Sequence, residues 1–134
     1  MTVKKSAVTI YHNPRCSKSR ATLDLIHDHG AEPQVIEYLK NPPSAAELEH
    51  LLKLLGLEPR DLMRRKEDLY KELGLDDPKL DRKTLIAAMV AHPRLIERPI
   101  VVTGNGAALG RPPENVLPLL GGDANEGEPK AGTQ

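Results

Sequence analysis

"AVTIYHNPRCSKSRATLDLIHDHGAEPQVIEYL", residues 7–39, decides the fold. Residues 7–11 are a β-branched and aromatic run stopped by Asn13-Pro14, the composition of a short strand. Residues 17–30 then set Leu23, Leu25 and Ile26 among polar residues and finish on Gly30, as a helix does. Residues 32–39 return to strand character. Strand, helix, strand over so short a span is a βαβ unit, which implies a parallel strand pair with a right-handed crossover.

Downstream, Ser44 and Glu47 form a capping box ahead of Leu48, Leu51, Leu52 and Leu55, which share one helical face ending at Gly56. Residues 59–74 read as one or two short helices, and Asp81 caps a helix carrying Leu85, Ile86, Met89 and Val90. Residues 44–96 are therefore expected to be mostly helical. Strands follow at 98–103 and 107–111 around the turn Gly104-Asn105-Gly106, and they are expected to run antiparallel. Residues 112–120 read as a last helix, opened by proline and shortened or kinked at Pro118. The remainder, 121–134, offers no core-forming residue and is expected to be disordered.

The order predicts an α/β fold: a mixed sheet with flanking helices and a helical insertion between the βαβ unit and a C-terminal hairpin. The thioredoxin-like fold has this order, here as a single domain over residues 1–120.

Composition narrows the function. The 134 residues carry 19 basic and 19 acidic side chains, so no overall field points to nucleic acid or a membrane surface. Three tyrosines with no Phe or Trp leave few platforms for base stacking. A single cysteine cannot make an intramolecular disulfide, and no segment reaches the apolar length of a signal peptide or a membrane span. A soluble cytoplasmic protein, monomeric for want of an evident dimer seam, is the expectation.

That single cysteine, Cys16, falls where the first strand joins its helix. The unpaired N–H groups and the macrodipole of a helix start favour negative charge. Arg15, Lys18 and Arg20 stand close in sequence, and no acidic residue precedes Asp24. A thiolate with a lowered pKa is expected, beside donors that can also cradle an oxyanion. The ordinary alternative is a small core cysteine. His12 is either a bystander at the strand end or a support for the thiolate. Ser19, one helical turn after the thiol, is either an ordinary first-turn serine or a donor to the sulfur.

With no second cysteine, any redox cycle must be completed by a thiol from another molecule. Dispersed histidines give no metal-ligand spacing. Arg64, Arg98 and Arg111 stand at element boundaries, and guanidinium forks suit tetrahedral oxyanions. Pro99, directly before an apolar strand, is placed where a cis bond can present backbone to a site.

These motifs together resemble the glutaredoxin-coupled arsenate reductase family, ArsC-like proteins of thioredoxin-like fold. TIYHNPRCSKSR, NPPSAAEL, LYKELGL, HPRLIERPIVV and GRPPENVL occur in the family's order over residues 8 to about 120. The resemblance implies Cys16 as nucleophile, with His12 and Ser19 supporting it. It implies Arg64, Arg98 and Arg111 as the arginines that hold the oxyanion. It further implies arsenate as substrate, glutathione as co-substrate, a glutaredoxin as partner, and no bound cofactor or metal. Lys18 stands where the well-studied enzymes have a smaller uncharged residue, and TGNGAALG replaces their TPLG-type loop. Two other readings remain open. One is deglutathionylation or reduction of another thiol substrate. The other is an RNA-polymerase-binding regulator of thiol stress, which typically carries CxxC where this chain has Cys16-x-x-Ser19.

Overall fold

The computed structural model describes residues 8–121, so Ala7 and the tail at 122–134 lie outside the described residues. Strand β1, Thr9–His12, is followed by helix α1, Ser17–Asp28, and strand β2, Gln34–Glu37. β1 and β2 are parallel, with Thr9 opposite Gln34 and His12 opposite Glu37. Strand β3, Ile100–Thr103, lies antiparallel on the other side of β1, pairing Val101 with Ile10. Strand β4, Gly106–Leu109, closes a hairpin on β3, giving the sheet order β2-β1-β3-β4.

The strands differ from expectation by a few residues at their ends. β1 runs one residue further, to His12, before Asn13-Pro14 stops it. β2 is shorter than 32–39, because Pro33 has no N–H for the ladder and Tyr38 already lies in a turn. β4 starts at Gly106, whose φ of 131° is tolerated by glycine and opens the strand directly after a tight connection.

Two compact units result, one built from residues 8–37 and 98–121, the other from 38–97. In the first, Val8, Ile10, Ile26, Val101, Val116, Leu119 and Leu120 form the buried cluster. α1 buries Ser19, Thr22 and Ile26, which fall on one face at a spacing of three and four. That face is apolar only at its C-terminal end; near Cys16 it is lined by hydroxyls. A short 3-10 turn at Pro113–Val116 and helix α5, Leu117–Gly121, replace the expected single helix over 112–120.

The second unit is helical. Helix α2, Ala45–Leu55, has the expected capping box: the Glu47 N–H donates to Ser44 Oγ at 3.1 Å, and Gly56 ends the helix at φ 69°. A 3-10 turn, Pro59–Leu62, and helix α3, Asp68–Glu72, fill residues 59–74. Helix α4, Arg82–Ala91, is capped by Asp81, which accepts the Thr84 N–H at 2.9 Å. Leu48, Leu51 and Leu52 of α2 are buried, as are Leu85, Ile86 and Met89 of α4. Met63 and Ile96 meet in an isolated antiparallel bridge, flanked by Arg64 N–H to Leu95 O at 2.7 Å.

Candidate active site

Residues 13–16 turn the chain from β1 into α1, and Asn13 organises that turn three times over. Its carbonyl accepts the Cys16 N–H at 3.0 Å, and its side-chain Oδ1 accepts the Arg15 N–H at 3.0 Å. Its own N–H donates to Ser19 Oγ at 3.0 Å. An asparagine that hydrogen-bonds the backbone two residues on is the usual device for such a turn. Asn13 escaped the sequence reading, where it served only to stop a strand.

Cys16 takes the N-cap position of α1, with extended backbone at φ −94° and ψ 123°. It makes no formed side-chain capping hydrogen bond, and its thiol is partly exposed. Burial pushes the thiol pKa up, yet the net position is below the ordinary thiol value. Burial is the largest single influence, and the N–H groups of Ser19 and Lys18 together with the charge and hydrogen bond of Arg98 outweigh it. The expected thiolate thus has a different set of supports from the one its neighbours in sequence offered. Lys18 acts through its backbone. Arg15 is exposed, and Arg20 donates from Nη1 to Pro14 O at 2.9 Å, so it braces the turn.

Ser19 also departs from expectation. It is fully buried, and its hydroxyl turns to the Asn13 N–H and to His12 Nδ1, 2.7 Å away. What favours the thiolate is Ser19's backbone N–H. His12 is buried as well, and burial is the main reason its pKa lies below the ordinary value; Arg20 lowers it further while Glu37 opposes both. A neutral imidazole follows at neutral pH. With Nδ1 unprotonated, the Ser19 O–H donates to it while accepting from Asn13.

The three arginines fare differently. Arg98 precedes Pro99 through a cis bond, and its Nε is buried with no hydrogen-bond partner. A buried guanidinium N–H without a partner beside a thiol has capacity for an oxyanion. Arg111 is exposed, follows Gly110 and precedes Pro112 through a second cis bond. Arg64 belongs to the helical unit, half-buried, where it pairs with Glu67, itself 3.9 Å from Arg94. Cys16, His12, Ser19 and Arg98 are therefore brought together, while Arg64 is held within its own unit.

Gly110 is another residue the sequence reading passed over. Thr22 Oγ1 reaches toward Gly110 O at 3.4 Å, and the Gly110 N–H donates to Pro99 O at 2.9 Å. Among the described residues no group of three or more metal-ligating side chains occurs, and no helix is long and apolar enough to cross a membrane.

The ArsC family model matches residues 11–119. The chain is 58% identical over 115 residues to the uncharacterized protein YfgD of Escherichia coli K12, an alignment covering 85% of this chain and 97% of that one. It is 51% identical over 114 residues to an arsenate reductase of Neisseria meningitidis serogroup B, covering 84% and 97% respectively. Among solved structures, the arsenate reductase from Vibrio cholerae superposes with a TM-score of 0.84 at 57% identity, covering 85% of this chain and 98% of that one. The α/β thioredoxin-like fold class is the one these relatives share.

Proposed function

The chain belongs to the ArsC family, and from that premise we propose that it is an arsenate reductase using Cys16 as nucleophile and drawing electrons from glutathione and a glutaredoxin. The observation that carries the proposal is the thiol at the start of α1. Its pKa is lowered against the effect of burial by helix N–H groups and by Arg98, which keeps an unpartnered Nε.

The thiolate sulfur attacks the arsenic of arsenate, and an arsenate oxygen leaves as water after taking up protons, giving a Cys16–S–As(V) adduct. Arg98 neutralises the oxyanion beside the sulfur, and Arg64 and Arg111 complete its binding. A glutathione thiolate next attacks the adduct, and a glutaredoxin thiol resolves it. The glutathione displaces an arsenic-bound oxygen as water, and the glutaredoxin thiolate then attacks the glutathione sulfur. The two external thiols become a mixed disulfide, and the electron pair of the broken S–As bond reduces As(V) to As(III) while it is still on Cys16. Water then hydrolyses the Cys16–S–As(III) bond, releasing arsenite and regenerating the Cys16 thiolate. The single cysteine of the chain supports this dependence on outside thiols. His12, through Ser19, keeps the turn around the thiol fixed. The protein acts as a cytoplasmic monomer that binds no cofactor of its own.

The test is arsenate-dependent NADPH oxidation in the presence of glutathione, glutaredoxin and glutathione reductase. Turnover that disappears in Cys16→Ser is expected. Reduction of a protein–glutathione mixed disulfide without arsenate turnover would replace arsenate by that substrate.

A further inference from the structure

We infer that Thr22 and Gly110 form a positioning junction, which holds the segment carrying Arg111 against the helix that presents Cys16 and against the segment of Arg98. The inference rests on the oxyanion site proposed above and concerns how its parts are kept in register.

The inward face of α1 begins with two hydroxyls where a core-facing helix ordinarily has apolar residues. Ser19 and Thr22 are both fully buried. Ser19 is engaged by His12 and Asn13. Thr22 Oγ1 hydrogen-bonds elsewhere. Its Oγ1 donates to Lys18 O at 2.8 Å, one turn back, and its oxygen lies 3.4 Å from Gly110 O, 88 residues later. The bond to Lys18 O fixes χ1, which β-branching already restricts, so the side chain presents a stiff surface to Gly110.

Gly110 fits that surface because it has no side chain. Its φ lies outside the left-handed range, so the backbone admits any residue and space alone demands glycine. A Cβ there would lie 2.5 Å from Thr22 Oγ1, 3.0 Å from Thr22 Cγ2 and 2.8 Å from Pro99 Cγ. Ordinary contact begins near 3.4 Å, so one wall or the other must retreat by nearly 1 Å. Neither yields readily: one is a pinned threonine, the other a proline ring. The Gly110 N–H to Pro99 O bond ties the same residue to the Arg98 segment. One residue thus touches the helix of the thiol and the neighbour of Arg98, and its successor is Arg111. Displacements of about 1 Å in positioning groups cost up to about 100-fold in rate.

The experiment compares Gly110→Ala, Thr22→Ala and the double variant in the full chain. Arsenate KM and kcat are measured, together with protection of Cys16 from iodoacetamide by arsenate and by inorganic phosphate. Gly110→Ala is expected to raise KM and the protection constant about tenfold or more. The pH profile of Cys16 alkylation without oxyanion stays as in the unchanged protein. Thr22→Ala alone weakens protection about twofold to threefold. In the double variant the loss of Oγ1 and Cγ2 makes room for the new methyl, so it binds better than Gly110→Ala. A folded Gly110→Ala with undiminished protection overturns the inference, as does a double variant no better than the single one. Should Gly110→Ala not fold, a folded Thr22→Ala with unchanged protection overturns it equally. Oxyanion protection that responds to these variants without any arsenate turnover retains the junction and removes the reductase reading. Absence of protection in the unchanged protein removes both.

Discussion

The Ser19 hydroxyl stands 2.7 Å from Nδ1 of His12 while accepting the Asn13 N–H at 3.0 Å. One small side chain therefore satisfies a buried imidazole and the first backbone donor of the turn that precedes Cys16. Removing it leaves the buried imidazole and the half-buried Asn13 N–H without that partner. Ser19→Ala is expected to lower unfolding free energy by about 1–3 kcal/mol, the cost of orphaned buried polar groups. Urea denaturation measures this, and an unchanged midpoint would contradict the hydrogen-bond assignment.

Cys16 should alkylate as a thiolate well below the pH at which an ordinary thiol does. The rate of iodoacetamide reaction against pH is expected to show a midpoint below about 8.5, the unperturbed value. Arg98 is one of the groups that lowers it. Arg98→Gln should move the midpoint upward while retaining a residual depression from the Ser19 and Lys18 N–H groups. A midpoint at the ordinary value in the unchanged protein would contradict the activated thiolate, and identical midpoints in the two proteins would remove Arg98 from the account.

His12 makes stability depend on pH in a definite direction. Its folded pKa lies below the unfolded value, chiefly through burial. Between the two, the unfolded chain binds more protons than the folded one, so stability rises with pH there. As pH falls from about 6.5 toward the folded pKa, stability is lost; below that pKa this contribution stays constant. His12→Gln should flatten the curve in this window. Guanidinium midpoints at several pH values for both proteins check it, and parallel curves would count against a buried neutral imidazole.

Cap and core substitutions should separate in size. Ser44→Ala removes the side-chain acceptor of the α2 capping box and should cost about 1 kcal/mol. Ile26→Ala empties a fully buried site in the cluster around β1 and should cost about 2–5 kcal/mol. Denaturant midpoints with unchanged m-values give both figures.

The order of elements along the chain, the capped helices and the thiol's place at a helix start were legible in the sequence, because each is encoded locally, whereas the β1–β3 pairing at the middle of the sheet was not. Asn13-Pro14, Ser44 with Glu47, Asp81 and Gly56 declare themselves by residue type. The supports of the thiolate were harder to see. Arg15, Lys18 and Arg20 are near Cys16 in number, but the guanidinium that acts on the sulfur belongs to Arg98, brought in by the β1–β3 pairing. Thr22 and Gly110 gave no signal, since a buried threonine looks like any helical polar residue and a glycine required only by crowding resembles one in a turn. Ser19's turn toward His12 depends on a hydroxyl rotamer, which spacing does not specify.

The sheet is written out of sequence order, with β1 at its middle and β3 arriving nearly ninety residues later. A chain growing from the ribosome must therefore hold β1 with one side vacant until β3 has emerged. Throughout that interval Cys16 already has its helix N–H groups but lacks Arg98. The nascent thiol is thus closer to an ordinary one, and it gains the Arg98 contribution only once β3 has joined β1.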